Sequence, residues 1–190
     1  MARFADLTKN YERYIHATWP RNQAGAQRVV MVLYGKDQER ALRGHLQEFE
    51  HRTTTPGSGG GQGDGHGWVP FDCTDRFARW MAAEDYAEAY FEEPELLQTR
   101  LDTDFRDHLA EQLIATLEQA TPDDVVAVFG VASLFGFANL SDLIHRVEPH
   151  VRGRLVVFFP GSRDGDNYRL LDAYDGWNYL AVPITSDLQA

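Results

Sequence analysis

Apolar residues recur along this chain in two rhythms, and the alternation between them lays out the expected elements. Phe4, Leu7, Tyr11, Tyr14 and Ile15 return every three or four positions, the period of one helix face. Trp19-Pro20 is expected to end that helix, because the residue before a proline is pushed out of the helical region. Arg28 to Tyr34 is a short β-branched run between glycines and reads as a buried strand. Asp37 is the expected cap of a second helix with the stripe Leu42, Leu46 and Phe49. Gly67 to Cys73 reads as a strand at an edge position or with a bulge, since Pro70 cannot donate to a ladder. Thr74 or Asp75 caps a third helix that carries Phe77, Trp80 and Met81 and continues toward Tyr90 and Phe91. Pro94 suits the first turn of a longer helix with an unbroken series of four-residue steps: Leu97, Leu101, Phe105, Leu109, Leu113 and Leu117.

Beyond the turn Thr121-Pro122-Asp123-Asp124, Val125 to Phe129 is a third strand. Leu140, Leu143, Ile144 and Val147 mark a short helix closed by Pro149. Leu155 to Phe159, Tyr168 to Leu171 and Tyr179 to Val182 are the remaining expected strands. Strands alternating with amphipathic helices predict one α/β domain over residues 1–190, a three-layer α/β/α (Rossmann-like) arrangement on a mainly parallel sheet. Residues 53–67, TTTPGSGGGQGDGHG, read as a flexible Gly-rich surface loop. It follows a helix and lacks the Gly-Lys-Ser/Thr ending of a phosphate-binding loop.

Composition narrows the class of partner. The chain has 190 residues, 43% apolar and 25% charged, and a net charge of −11. An acidic protein repels a polyanion, which argues against nucleic-acid binding as its main task and favours a protein partner. One cysteine, Cys73, excludes an intrachain disulfide and fits a reducing compartment. The first residues, MARFADLTKNYERY, hold no apolar core of a secretory signal, and no run approaches the roughly 18 apolar residues of a membrane span. The expected location is the cytoplasm.

Candidate chemistry fails motif by motif. Ser133 lies in G-x-x-S-x-x-G rather than the G-x-S-x-G of a nucleophile elbow, and His145 and His150 follow it on or beside a short helix. His51, His66 and Cys73 lack metal-ligand spacing. Asp164-Gly165-Asp166-Asn167 has no glutamate at the twelfth position of a calcium loop and reads as a turn. Asp172, Asp175 and Arg169 form either an acid/base or metal pair or, more simply, a solvated turn or structural ion pair. Strand-end loops rich in aromatics remain. Phe135, Phe137, Phe159, Tyr168, Arg169, Trp177 and Tyr179 are the candidate partner-binding residues, with core packing the competing role for many of the rings.

Three stretches also carry a family resemblance: Ala24 to Val30 (AGAQRVV), Gly130 to Phe137 (GVASLFGF) with the Leu-Ile-His-Arg-Val helix, and Phe158 to Ile184 with its closing DGWNYLAVPI. Together they make the chain resemble the BrxB family, small accessory proteins of BREX phage-defence systems. The resemblance implies a non-catalytic adaptor or scaffold, without a cofactor, that binds PglZ-like and BrxC-like partners and possibly the BREX methyltransferase. The Gly-rich 53–67 segment is longer than that family leads one to expect. The competing expectation is a nucleotide-binding or hydrolytic enzyme on a Rossmann-like sheet, using Ser133, the Gly130 turn and Asp172 or Asp175.

Overall fold

Six consecutive apolar residues can all be buried in a strand only if both of its faces are covered, and that is how Val29–Tyr34 sits. The structure, a computed structural model, describes residues 2–20, 22–57, 65–173 and 177–186. Its strands are β1 (Val29–Tyr34), β2 (Gly67–Asp72), β3 (Asp124–Phe129), β4 (Arg154–Asp164), β5 (Asn167–Leu170), β6 (Trp177–Asn178) and β7 (Val182–Ile184). Its helices are α1 (Ala2–Ile15), α2 (Glu39–Thr54), α3 (Arg76–Ala82), α4 (Ala87–Glu92), α5 (Glu95–Arg100), α6 (Arg106–Gln119) and α7 (Leu140–Val147). The fold is α/β with a mixed sheet. Strand order is β2-β3-β4-β1-β7 with parallel pairing throughout, and β5 and β6 extend the far end of β4 in antiparallel fashion. Among the described residues no helix is long and apolar enough to cross a membrane.

Alternate strand residues feed two separate cores. Val29, Met31 and Leu33 of β1 join Leu155, Val157 and Phe159 of β4 in a core with α3, α6 and α7. Val30, Val32 and Tyr34 join Val156 and Phe158 in a second core with α1 and α2. Of the edge position and the bulge that Pro70 allows, β2 takes the edge, paired with β3 alone. Gly165-Asp166 makes a two-residue hairpin turn between β4 and β5, with Gly165 at φ 59°.

Several boundaries differ from the sequence reading, each for a tertiary reason. Helix α1 stops at Ile15, four residues before Trp19, and the Trp19 indole N–H donates to the Ile15 carbonyl (2.9 Å). The tryptophan thus satisfies a helix-end carbonyl rather than continuing the helix. Asp37 lies inside a 3₁₀ turn, Lys36–Gln38, and the N-cap of α2 is Gln38. Helix α2 also runs on through Thr53 and Thr54, which shortens the expected loop; residues 58–64 of that loop lie outside the described residues. Thr53 is fully buried because its hydroxyl donates to the Phe49 carbonyl (2.8 Å) and accepts from the Tyr11 hydroxyl (2.6 Å). The third helix breaks between Ala82 and Ala87. The expected strand Tyr179–Val182 is replaced by two short strands, β6 and β7, with Tyr179 and Ala181 packed into the core between them.

The Leu/Phe stripe from Leu97 to Leu117 holds its inward face, but on a helix that is not regular. Leu101–Phe105 forms a π-helical turn between α5 and α6. Four residues of an α-helix overshoot one turn by about 40°, so a strict four-residue repeat drifts around the helix. A turn with one extra residue takes up part of that drift. From Leu101 on, every member of the stripe is buried.

Candidate functional site

Strand β3 ends at Phe129 and the chain turns at Gly130, with φ 72°. A Cβ at this position would lie 2.5 Å from Thr74 Oγ1 and 2.9 Å from Asp72 Oδ1, so the turn needs glycine for both conformation and space. A 3₁₀ turn follows, Val131–Leu134, with Val131 and Leu134 buried as anchors. Gly136, at φ 82°, reverses the chain again. The Asn139 side chain then caps α7, accepting from Ser141 N–H (2.9 Å) and Asp142 N–H (3.3 Å). Between these fixed points Phe135 projects outward, 51% exposed. Phe137 turns inward and stacks on Phe77, with centroids 3.8 Å apart.

Phe135, Phe137 and Leu140 line one side of a groove of 290 Å³. Leu170, Ala173 and Trp177 line another, and Gln98 and Asp102 supply a polar wall. The structure therefore brings together three of the seven expected residues, Phe135, Phe137 and Trp177, from positions some forty residues apart in the chain. Trp177 belongs to an aromatic cluster beneath the groove, 5.5 Å from Tyr168, 5.6 Å from Tyr179 and 6.3 Å from Phe159.

The other four residues take different places. Phe159 and Tyr168 are fully buried and Tyr179 nearly so, which leaves them no surface to present to a partner. They are core residues: Tyr168 O–H donates to the Ala181 carbonyl (3.2 Å), and Tyr179 O–H donates to the Glu148 carboxylate. Burial pushes the Tyr168 hydroxyl up to about 12 and raises Tyr179 further, the latter helped by the Glu148 carboxylate. Arg169 is half-buried on β5 beside Ser162 of β4 and lines neither the groove nor the second cavity described below.

Gln98 and Asp102 were not expected at the site. They reach it because α5 and the π-turn border the same groove as the segments that follow β3 and β5, a long-range placement with no local signature. The π-turn at Leu101–Phe105 sits at this wall.

A second cavity, of 180 Å³, opens at the carboxyl ends of β1, β4 and β7, among Tyr34, Gly35, Gln38, Ser162, Arg163 and Thr185. The chain leaves β1 toward the α1/α2 core and leaves β4 toward the opposite one, so this crevice lies where connections diverge, the usual ligand position in α/β sheets. Beside the lining residues Gly35 and Ser162, Asp172 pairs with Lys36 (3.4 Å). A hydrogen bond from Ser162, then the Lys36 ammonium, holds the Asp172 carboxyl below its ordinary value. Leu171 and Asp172 both have positive φ, 53° and 57°, an uncommon backbone for residues with side chains. Lys36, one of two lysines in the chain and set directly after the first strand, was the signal available in the sequence.

The remaining candidates do not converge. Ser133 lines neither cavity, and Asp175 lies outside the described residues. Cys73 is buried in the α3/α6/α7 core, and burial pushes its thiol up to about 12. His66 stacks on Trp19 at 3.9 Å, and burial lowers its affinity for a proton. His51 contacts Thr55 on its own helix end. Among the described residues no group of three or more His, Cys, Asp or Glu could hold a metal ion.

Compared with protein-family models, curated proteins and solved structures, the chain matches none of them.

Proposed function

We propose that this chain is a non-catalytic adaptor of a BREX-type phage-defence complex, working in the cytoplasm and docking a PglZ-like or BrxC-like partner through the Phe135–Trp177 groove. The observation that carries this reading is Phe135: a large aromatic side chain held outward between Leu134, which is buried, and Phe137, which stacks inward on Phe77. Phe135 adds little to folding where it stands, yet two glycines and a helix cap position it beside an open, aromatic-floored groove. Anchors of that type dominate protein interfaces. The resemblance to BrxB proteins supplies the identity of the partners. The fold we propose is a three-layer α/β/α, Rossmann-like domain with a mainly parallel sheet, supported by the division of strand side chains between two cores.

Co-purification from cells carrying the native gene neighbours tests the reading. Tagged wild-type protein should capture a PglZ-like or BrxC-like protein, and Phe135→Asp should not, while its thermal unfolding stays close to wild type. If wild type captures neither partner, the adaptor reading fails.

One observation favours a second reading, a small-ligand site on the same sheet: the crevice beyond β1 and β4 with its Lys36–Asp172 pair and strained Leu171–Asp172 backbone. A ligand at about 100 times its dissociation constant adds about 2.7 kcal/mol of stability. Thermal shift with ATP, GTP and small phosphorylated or carboxylated compounds would reveal it, and no shift with any of them rejects it.

A further inference from the structure

The charge of this protein is concentrated in one place. Between Glu84 and Asp104 there are eight carboxylates and one arginine, a net −7 of the chain's −11. This segment comprises α4, α5 and the start of the π-turn, and it supplies the Gln98 and Asp102 wall of the groove. Its single cation, Arg100, is already engaged by Glu84 (2.5 Å) and Asp104.

The same segment exposes apolar surface. Five large hydrophobic side chains are exposed among the described residues, and three of them, Tyr86 (70%), Phe91 (73%) and Leu96 (52%), lie here. A fourth is Phe135, across the groove. Scattered exposed hydrophobics are ordinary and need no explanation. Three within one short, strongly acidic stretch do, because carboxylates alone would keep these helices solvated. Ala87, Tyr90 and Leu97 already hold the segment against the core. Tyr86, Phe91 and Leu96 are surplus to that attachment.

We infer that the Glu84–Asp104 segment and the Phe135 groove form one acidic, aromatic docking face for a basic amphipathic helix of a partner protein. Apolar anchors of such a helix meet Phe135, Phe91 and the groove, while its arginines and lysines meet the carboxylates around them. This combination is the helix-in-groove mode of recognition, with complementary charge setting approach and register. Nucleic acid and anionic lipid are repelled by the same field. The inference rests on the adaptor reading for the site but adds the chemistry of the occupant.

The test uses the full chain and three labelled peptides of about 18 residues, long enough to form a helix. One carries leucine and tryptophan on one face and arginine on the other. The second has glutamate for arginine, and the third is the first with its order scrambled. By fluorescence anisotropy the arginine peptide should bind, with affinity falling as salt rises from about 50 to about 300 mM. The triple change Glu92→Lys, Glu93→Lys, Glu95→Lys should weaken it by about tenfold or more, and Phe135→Ser likewise. The charge-matched control Asp6→Lys, Glu50→Lys, Asp123→Lys, exposed positions on α1, on α2 and in the turn before β3, should change it by less than about twofold.

Equal binding of the glutamate or scrambled peptide overturns the inference, as does an equal loss in triple and control variants, which would mean that bulk charge alone attracts the peptide. Capture of the native partners separates the two proposals. If they are captured by the triple variant as by wild type, the docking chemistry fails and the adaptor reading stands. If no native partner is captured but the peptides behave as expected, the adaptor reading fails and the docking face stands.

Discussion

Replacing Gly130 and Gly136, one at a time, with alanine isolates the forces that shape the groove loop. Both have positive φ, 72° and 82°. An L-residue in that region costs about 1–2 kcal/mol, offset by about 0.4–1 kcal/mol from the stiffer unfolded chain. Gly136→Ala meets nothing within 4 Å and should carry only this difference, about 0.5–1 kcal/mol. Gly130→Ala has the same backbone cost plus a collision with Thr74 Oγ1 at 2.5 Å, Asp72 Oδ1 at 2.9 Å and the Thr74 backbone nitrogen at 3.0 Å. The first two atoms cannot move freely, because Asp72 Oδ1 accepts from Thr74 N–H (2.8 Å) and from the Thr74 hydroxyl, and Thr74 Oγ1 also accepts from Arg43 (2.9 Å). Losing one or two such bonds adds about 1–3 kcal/mol, for a total of about 2–4 kcal/mol. In urea unfolding at neutral pH, Gly130→Ala should therefore lie well below Gly136→Ala in midpoint, with melting temperature reduced by about 5–12 °C. Partner capture should fall with Gly130→Ala, since the start of the loop that projects Phe135 must shift. Equal midpoints for the two variants would refute the argument that close packing against Asp72 and Thr74 holds this loop.

Phe135→Ala should change folding stability by no more than about 0.5 kcal/mol by urea titration, as for an exposed side chain, whereas Phe105→Ala, fully buried, should cost about 3–5 kcal/mol. Thr53→Val leaves the buried Tyr11 hydroxyl without its acceptor and should cost about 1–3 kcal/mol; adding Tyr11→Phe should recover part of this in a double-mutant cycle. Alkaline pH should destabilise the fold. Burial raises Tyr11, Tyr168 and Cys73, and burial with a neighbouring carboxylate raises Tyr34 and Tyr179. Each group binds its proton more tightly folded than unfolded, so its contribution is complete below its ordinary value and is lost as pH rises through the folded one. Stability measured by urea should thus fall from about pH 9 upward, and Cys73 should stay unreactive to a thiol reagent at pH 8 until the chain unfolds.

Much of the fold was written in local pattern. Continuous apolar runs bounded by turn residues located β1, β3 and the first half of β4, and the proline in GWVPFD pointed to an edge or a bulge. The turn at DGDN followed from residue type, and α7 from the spacing of Leu140, Leu143, Ile144 and Val147 before Pro149. These features depend on the chain's own periodicity and backbone preferences, which act over a few residues. The boundaries that moved depended on contacts between elements far apart in sequence. Thr53 looked like the start of a polar loop, and it is instead a buried helix residue whose hydroxyl is shared between the Phe49 carbonyl and the distant Tyr11. Tyr179 looked like strand and packs as core, because the hairpin beyond β4 folds its aromatics over Phe159.

The candidate site divided along the same line. Residue type singled out the aromatic loops, since Phe, Trp and Tyr beside glycine turns are unusual wherever they point. Which way each ring points is a tertiary matter: Phe159, Tyr168 and Tyr179 have the same local character as Phe135 and Trp177, yet they lie inside. The acidity of the segment from Glu84 to Asp104 is a matter of composition, eight carboxylates in one stretch, but the placement of its Gln98 and Asp102 beside Phe135 is not. Charge and apolarity are properties of residues, whereas a surface is a property of packing, and only the folded chain brings α5, the π-turn and the Phe135 loop to one groove.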